Sequence, residues 1–164
     1  MYSRILLAYD GSVEGRAALR EGALMALHCE AQVFLLSVIA PSAGVDIAES
    51  ALPGPVGYRE DYHRSVLEDG LVRLKGLGLT VVAELVSGEP AKEIAACARR
   101  IRADLVVVGY RHRNRLVRWW SGPSGAYLSD LLDCSLLISR NAMDDGDFQA
   151  ALARARAARS ELQT

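Results

Sequence analysis

Short apolar runs and segments of helical period alternate along this chain. Arg4-Ile-Leu-Leu-Ala-Tyr9 is apolar at consecutive positions and predicts a short strand buried on both faces. Asp10-Gly-Ser12 breaks that run, and Ser12 is placed to cap a helix reaching about Glu30. Ala17, Ala18, Ala23, Leu24 and Leu27 give this helix its apolar face. Gln32 to Ile39 predicts a second buried strand. Pro41 to about Tyr58 is rich in Pro, Gly, Ser and Ala and predicts a long loop. Tyr62, Val66, Leu67, Leu71 and Leu74 mark an amphipathic helix stopped by Gly76 and Gly78. Thr80 to Val86 predicts the third strand. Gly88-Glu-Pro-Ala opens the next helix, with Pro90 in its first turn and Ile94, Ala95, Ala98 and Ile101 on its buried face. Leu105 to Val108 is the expected fourth strand, Ser124 to Leu132 a helix, and Ser135 to Ser139 the fifth strand.

Strands that alternate with helices in this way predict a parallel sheet covered on both faces, because each right-handed crossover carries a helix. At 164 residues and 51% hydrophobic composition the chain is long enough for one well-buried domain and short for two. The character changes near its end. Asp144, Asp145 and Asp147 precede Phe148, Leu152, Ala155 and Leu162 at helical spacing, with Arg154, Arg156 and Arg159 further along. Acids first and bases last suit the helix dipole. We therefore expect a domain over 1–141 and a helical extension over 142–164. That extension either stands in solvent or docks on its own domain or a dimer partner.

Composition narrows the function classes. A formal net charge of −1 gives no general attraction to nucleic acid or a membrane surface, so neither is an expected partner. No segment approaches the roughly 18–20 uninterrupted apolar residues of a membrane span. Met1-Tyr-Ser-Arg-Ile-Leu-Leu runs straight into the first strand without a signal-peptide pattern, and a cytoplasmic location is expected. Cys29, Cys97 and Cys134 are odd in number, widely spaced and in apolar contexts. They are expected to be reduced, buried thiols with no metal between them. His28, His63 and His112 are isolated, and no nucleophile elbow, metalloprotease helix or GK[ST] phosphate loop is present. No catalytic residue is assigned, and an enzyme is not expected.

The chemistry gathers instead around Asp104-Leu-Val-Val-Val-Gly109, a strand ending in glycine. A basic loop follows, and then Gly122-Pro-Ser-Gly125 turns into a helix. In an α/β protein a phosphate-bearing ligand sits at such a place, beyond the carboxyl end of a strand and beside a helix N-terminus. Arg111-His-Arg-Asn-Arg115 with Arg118 offers cations there, either for an anion or simply to solvent. Trp119-Trp120 reads as one packed and one interfacial ring, or as a stacking platform.

Four motifs in order carry a resemblance: Ile5-Leu-Leu-Ala-Tyr-Asp-Gly-Ser12, Gly88-Glu-Pro-Ala-Lys-Glu-Ile94, Ala103-Asp-Leu-Val-Val-Val-Gly109 and Cys134-Ser-Leu-Leu-Ile-Ser139. Together they resemble the universal stress protein (UspA-like) family over roughly residues 2 to 140. The resemblance implies a single doubly wound, five-stranded, mostly parallel sheet in the order 3-2-1-4-5, a Rossmann-like fold. It also implies a homodimer, and the open edge of the fifth strand, Ser135 to Ser139, is the expected pairing surface. Many members of the family bind ATP between the ends of the first and fourth strands, and others do not.

By the same resemblance Asp10 matches the acid that meets ribose or, through a metal, phosphate. Val38 matches the position that meets adenine, and Gly109 and Gly122 match the first and third glycines of the phosphate motif. His112 stands in place of the middle glycine and Pro123 in place of the hydroxyl residue. Gly125 replaces a second phosphate-contacting hydroxyl. Pro123 removes an N–H and a hydroxyl from the anion nest, and the Cβ of His112 disfavours positive φ. Losing two or three charge-assisted contacts, at roughly 1.5–3 kcal/mol each, weakens triphosphate binding by several powers of ten.

The expected function is a non-enzymatic stress-response protein with altered or lost ATP binding. Two alternatives stay open. One is an ATP or adenine-nucleotide-binding regulator in which Arg111 to Arg115 and Ser124 supply the phosphate contacts. The other is a binding module for another nucleotide or anion.

Overall fold

The computed structural model describes residues 1–40, 57–110, 127–140 and 143–162, with side chains 57–59 and 158–162 outside that description. Among the described residues, five strands and five helices alternate. β1 (Arg4–Ala8), α1 (Val13–Cys29), β2 (Gln32–Ile39), α2 (Gly57–Gly76) and β3 (Val81–Ser87) form the first half. α3 (Pro90–Ile101), β4 (Leu105–Gly109), α4 (Leu128–Leu131), β5 (Ser135–Ser139) and α5 (Asp145–Leu162) complete the chain. Every strand pair is parallel, in the order β3-β2-β1-β4-β5. The doubly wound α/β expectation holds.

β1 lies at the centre, and its alternation sorts the core into two layers. Ile5, Leu7 and Tyr9 face a cluster shared with α1, α2 and α5, whereas Leu6 and Ala8 face one shared with α3 and α4. Ile5, Leu6 and Leu7 are at most 2% exposed. An apolar run without polar interruption is the sequence form of such a strand. The edge strands β3 and β5 are only half-buried.

The local signals act as chemistry requires. Ser12 caps α1, its Oγ accepting from the Gly15 N–H at 2.9 Å. Pro90 occupies the first turn of α3, where its missing N–H is harmless. α1 packs closely on the sheet because it is small-residue-rich. A Cβ on Gly22 would come within 2.4 Å of a Leu7 methyl.

Several expectations need correction. α2 begins at Gly57, earlier than the apolar spacing indicated, and Tyr62 is exposed rather than on the buried face. Gly70 on its buried side lies against Tyr9, whose ring an added Cβ would approach to 2.8 Å. The described part of the fourth helix is the short turn Leu128–Leu131, with Ser124 outside the described residues. Of the three free cysteines only Cys97 is buried; Cys29 and Cys134 are half-buried.

The question left open for the terminal helix is answered. α5 lies on α1, with Phe148, Leu152 and Ala155 buried in the common core. Asp144 Oδ1 accepts from the Asp147 N–H at 2.8 Å at its start. Arg20 ties it down, donating to the Met143 carbonyl at 2.9 Å, pairing with Asp145 and lying 5.3 Å from the Phe148 ring centre. Among the described residues no helix is long and apolar enough to cross a membrane.

Candidate functional site

The strand order reverses direction between β1 and β4, and in open α/β sheets the crevice beyond the carboxyl ends at that point is where ligands bind. The register fixes which residues reach it. Ala8 pairs with Leu36, so two residues on Asp10 stands level with Val38. Leu7 pairs with Val107, so two residues on Tyr9 stands level with Gly109. The pairing continues past the strand ends, where the Tyr9 N–H reaches the Leu36 carbonyl at 2.9 Å and Ser37 Oγ donates to the Tyr9 carbonyl. Asp10, Val38 and Gly109 therefore share one edge. Arg111, Gly122 and Ser124, with His112, Pro123, Gly125 and both tryptophans, lie outside the described residues.

Each of the three placed residues also has a structural task. Asp10 Oδ1 accepts from the Ser12 N–H at 3.0 Å and from Ser12 Oγ at 2.6 Å, closing an Asx turn that presents Ser12 to α1. The Gly11 between them has φ +75°, and a Cβ there would meet Val66 of α2 at 2.9 Å. That turn admits only glycine. Val38 is 4% exposed and packs with Ala8, Leu36, Ala91 and Ile94, so a base at this position would meet its backbone. Gly109 is held small by α1. An ideal Cβ would lie 2.5 Å from the Glu14 carbonyl oxygen and 2.9 Å from the Gly15 nitrogen.

Tyr9, one residue before Asp10, turns the other way. Its hydroxyl lies 3.4 Å from Asp69 Oδ2, and Arg73 Nε donates to the same oxygen at 2.7 Å. Burial, reinforced by the Asp69 charge, pushes the Tyr9 phenol above its ordinary range. The Arg73 hydrogen bond holds the Asp69 carboxyl below its own.

Two polar groups at this edge were passed over in the sequence. Arg140, just past β5, lies with its guanidinium carbon 4.3 Å from the Tyr110 ring centre and brings a fixed positive charge beside Gly109. Glu89 follows Gly88, whose N–H bonds the Ile39 carbonyl at 3.0 Å. Its Oε2 pairs with Lys92 at 2.8 Å, while its Oε1 is buried without a hydrogen-bond partner among the described residues. The sequence showed Glu89 only as part of a helix start. A carboxylate that enters the first turn but does not cap it is visible only in three dimensions. Among the described residues no cluster of His, Cys, Asp or Glu is arranged to hold a metal.

A doubly wound parallel sheet in the order β3-β2-β1-β4-β5, with an acid beyond its central strand and a glycine at the neighbouring strand's end, defines an α/β protein with an open crevice at its switch point. A model of the universal stress protein family matches residues 1–140, and the chain belongs to that family. The stress response protein NhaX of Bacillus subtilis is 28% identical over 160 residues, covering 82% of this chain and 96% of that protein. Among solved structures, a universal stress protein in complex with cAMP superposes with a TM-score of 0.60 at 21% identity, covering 84% of this chain and 96% of that one. A universal stress protein family member from Arabidopsis thaliana with AMP bound gives 0.58 at 16% identity, covering 88% and 97%. At those identities the two structures establish the shared fold.

Proposed function

We propose that this universal stress protein is a non-enzymatic, cytoplasmic stress-response protein, homodimeric through the β5 edge, with altered or lost ATP binding. In this reading residues 1–141 form the universal stress protein domain and 142–164 a C-terminal helical extension. The observation that carries it is the division of the strand-end site. Asp10, two residues past the end of β1, comes level with Val38 of β2 when the β1–β2 register is extended, and these are the ribose and base positions by family resemblance. The phosphate positions, by contrast, carry His112, Pro123 and Gly125 in place of glycine and hydroxyl residues. A site with its nucleoside half kept and its triphosphate half changed favours loss of the β- and γ-phosphate contacts.

The same division supports a second reading, a site for an adenine nucleotide with a single phosphate. Similar folds are solved with cAMP and with AMP. In this reading Arg111, with Gly109, Gly122 and Ser124, would face the phosphate, and Arg140 adds charge at the same edge. Glu89 Oε1 would offer an acceptor to a ligand N–H or hydroxyl. An ATP-binding regulator would instead need the arginines from Arg111 to Arg115 and Ser124 to replace the whole cradle.

Calorimetric titration with ATP, AMP and cAMP, with and without Mg²⁺, separates these readings. Absent or millimolar ATP binding is the expected result. Micromolar ATP binding abolished by Asp10→Ala would overturn the first reading, and tight monophosphate binding without ATP binding would establish the second. Sedimentation of the full chain tests the dimer: a strictly monomeric species at high concentration would refute the β5 interface.

A further inference from the structure

A second cavity lies on the opposite flank of the Asp10 turn, where α5 closes against α1 and α2. Its volume is about 240 Å³, a little below the roughly 300–1,000 Å³ of drug-sized ligand sites. Three guanidinium groups line it, Arg16 and Arg20 from α1 and Arg73 from α2, over an apolar floor of Leu19, Leu74 and Phe148. Those three floor residues are at most 8% exposed, so the floor is fixed by the core. The third wall comes from α5, beyond the residue where the family match ends. The site is therefore a feature that this chain's extension adds to the fold.

The charges there do not cancel. Arg20 is answered by Asp145 and Arg73 by Asp69. Arg16 donates from Nη1 to the Gly11 carbonyl at 2.7 Å, a neutral acceptor. Among the described residues three cations there meet two carboxylates, and Arg16, which feels the Asp69 charge only at a distance, is the cation with no carboxylate in hydrogen-bond contact. The Gly11 carbonyl holds one end of the guanidinium fork, which fixes its orientation while other donors remain for a ligand.

We infer that this seam binds a small monoanion with an apolar body, a short-chain or aromatic monocarboxylate. The carboxylate would lie on Arg16 and the hydrocarbon on Leu19, Leu74 and Phe148. One unbalanced positive charge suits one negative charge. The buried floor rewards an apolar body that inorganic phosphate lacks.

The test is amide chemical-shift titration of the full-length protein with benzoate, benzamide and inorganic phosphate. Benzoate is expected to give saturable shifts at Leu19, Leu74 and Phe148, with an affinity on the order of 1 mM for so small a ligand. Benzamide and phosphate are expected to bind at least roughly tenfold more weakly, as is benzoate to Arg16→Gln. Leu77→Trp, which fills the cavity from its rim and leaves Arg16 in place, should abolish the shifts. The inference is overturned if benzoate gives no saturable shifts, or if benzamide or phosphate equals it. Unchanged affinity in either variant overturns it as well.

Discussion

Replacing Gly109 by alanine separates the two reasons a glycine can stand at the end of β4. The ideal Cβ would sit 2.5 Å from the Glu14 carbonyl oxygen, 2.6 Å from its carbon and 2.9 Å from the Gly15 nitrogen. Nonbonded carbon contacts are comfortable near 3.5–4.0 Å, so the first turn of α1 must retreat by about 1 Å. These are backbone atoms of a helix pinned by its Ser12 cap, and no flexible side chain can yield instead. Overpacking of this kind costs about 1–3 kcal/mol, and a rigid neighbour places the value in the upper half, about 2–3 kcal/mol. For a chain of this size that lowers Tm by roughly 4–12 °C. Urea unfolding followed by circular dichroism, without nucleotide, reads the loss directly. Gly76→Ala is the control, because nothing lies within 4 Å of a Cβ there. If Gly109→Ala unfolds within about 0.5 kcal/mol of the parent at unchanged m-value, α1 does not require the glycine. If it is destabilised as expected, Gly109 is explained by packing alone and its presence says nothing about a ligand.

Three further outcomes follow from the same geometry. Ser12→Ala removes the α1 cap and leaves Asp10 without its Oγ partner, and should cost about 0.5–2 kcal/mol in chemical denaturation; a change near zero would refute the cap. Phe148→Ala empties the contact between α5 and α1 and should cost about 3–5 kcal/mol; if α5 contributes nothing to the cooperative unit, the unfolding midpoint will not move. Asp69 has its carboxyl held below the ordinary value by Arg73, so its contribution is full above the unfolded pKa, roughly 3.9, and is lost as pH falls through the folded one. Asp69→Asn should therefore shrink the stability difference from the parent as pH drops below about 4, and a difference that is constant from pH 3 to pH 7 (roughly the carboxylate window) would refute the pairing.

What the sequence made legible follows from what local chemistry can encode. β1 and β4 were readable because a strand buried on both faces must be apolar at every position, as Ile5-Leu-Leu and Val106-Val-Val are. Ser12 and Pro90 were readable because caps act within one turn. The face of α2 was less so. Tyr62 fits the apolar period yet is exposed, because the sheet contact is made further along, where Gly70 meets Tyr9. The amphipathic spacing of α5 fits a solvated helix as well as a docked one, and it names no partner, since Phe148 and Leu152 would suit any apolar groove. At the site, resemblance picked out Asp10, Val38 and Gly109, and the register brings them to one edge. The bond from Ser12 to Asp10, the Glu89 oxygen unpartnered among the described residues and the stacking of Arg140 on Tyr110 depend on side-chain directions that no spacing rule contains.

Those directions make Tyr9 to Ser12 a junction between the two candidate sites. Tyr9 faces α2 through Asp69, while Asp10 belongs to the strand-end crevice. Gly11 can turn the chain between them only because φ +75° and the Val66 contact exclude a side chain. Its carbonyl then receives Arg16 of the α5 seam. A ligand that draws Arg16 away from Gly11 would loosen the turn that sets the Asp10 carboxylate, and one that leaves the bond intact would not. Coupling between the sites thus reduces to one hydrogen bond. Because coupling free energies are reciprocal, benzoate should change nucleotide affinity by the same factor that nucleotide changes benzoate affinity. Equal factors of one in both directions would show that the Arg16 bond to Gly11 does not link the two sites.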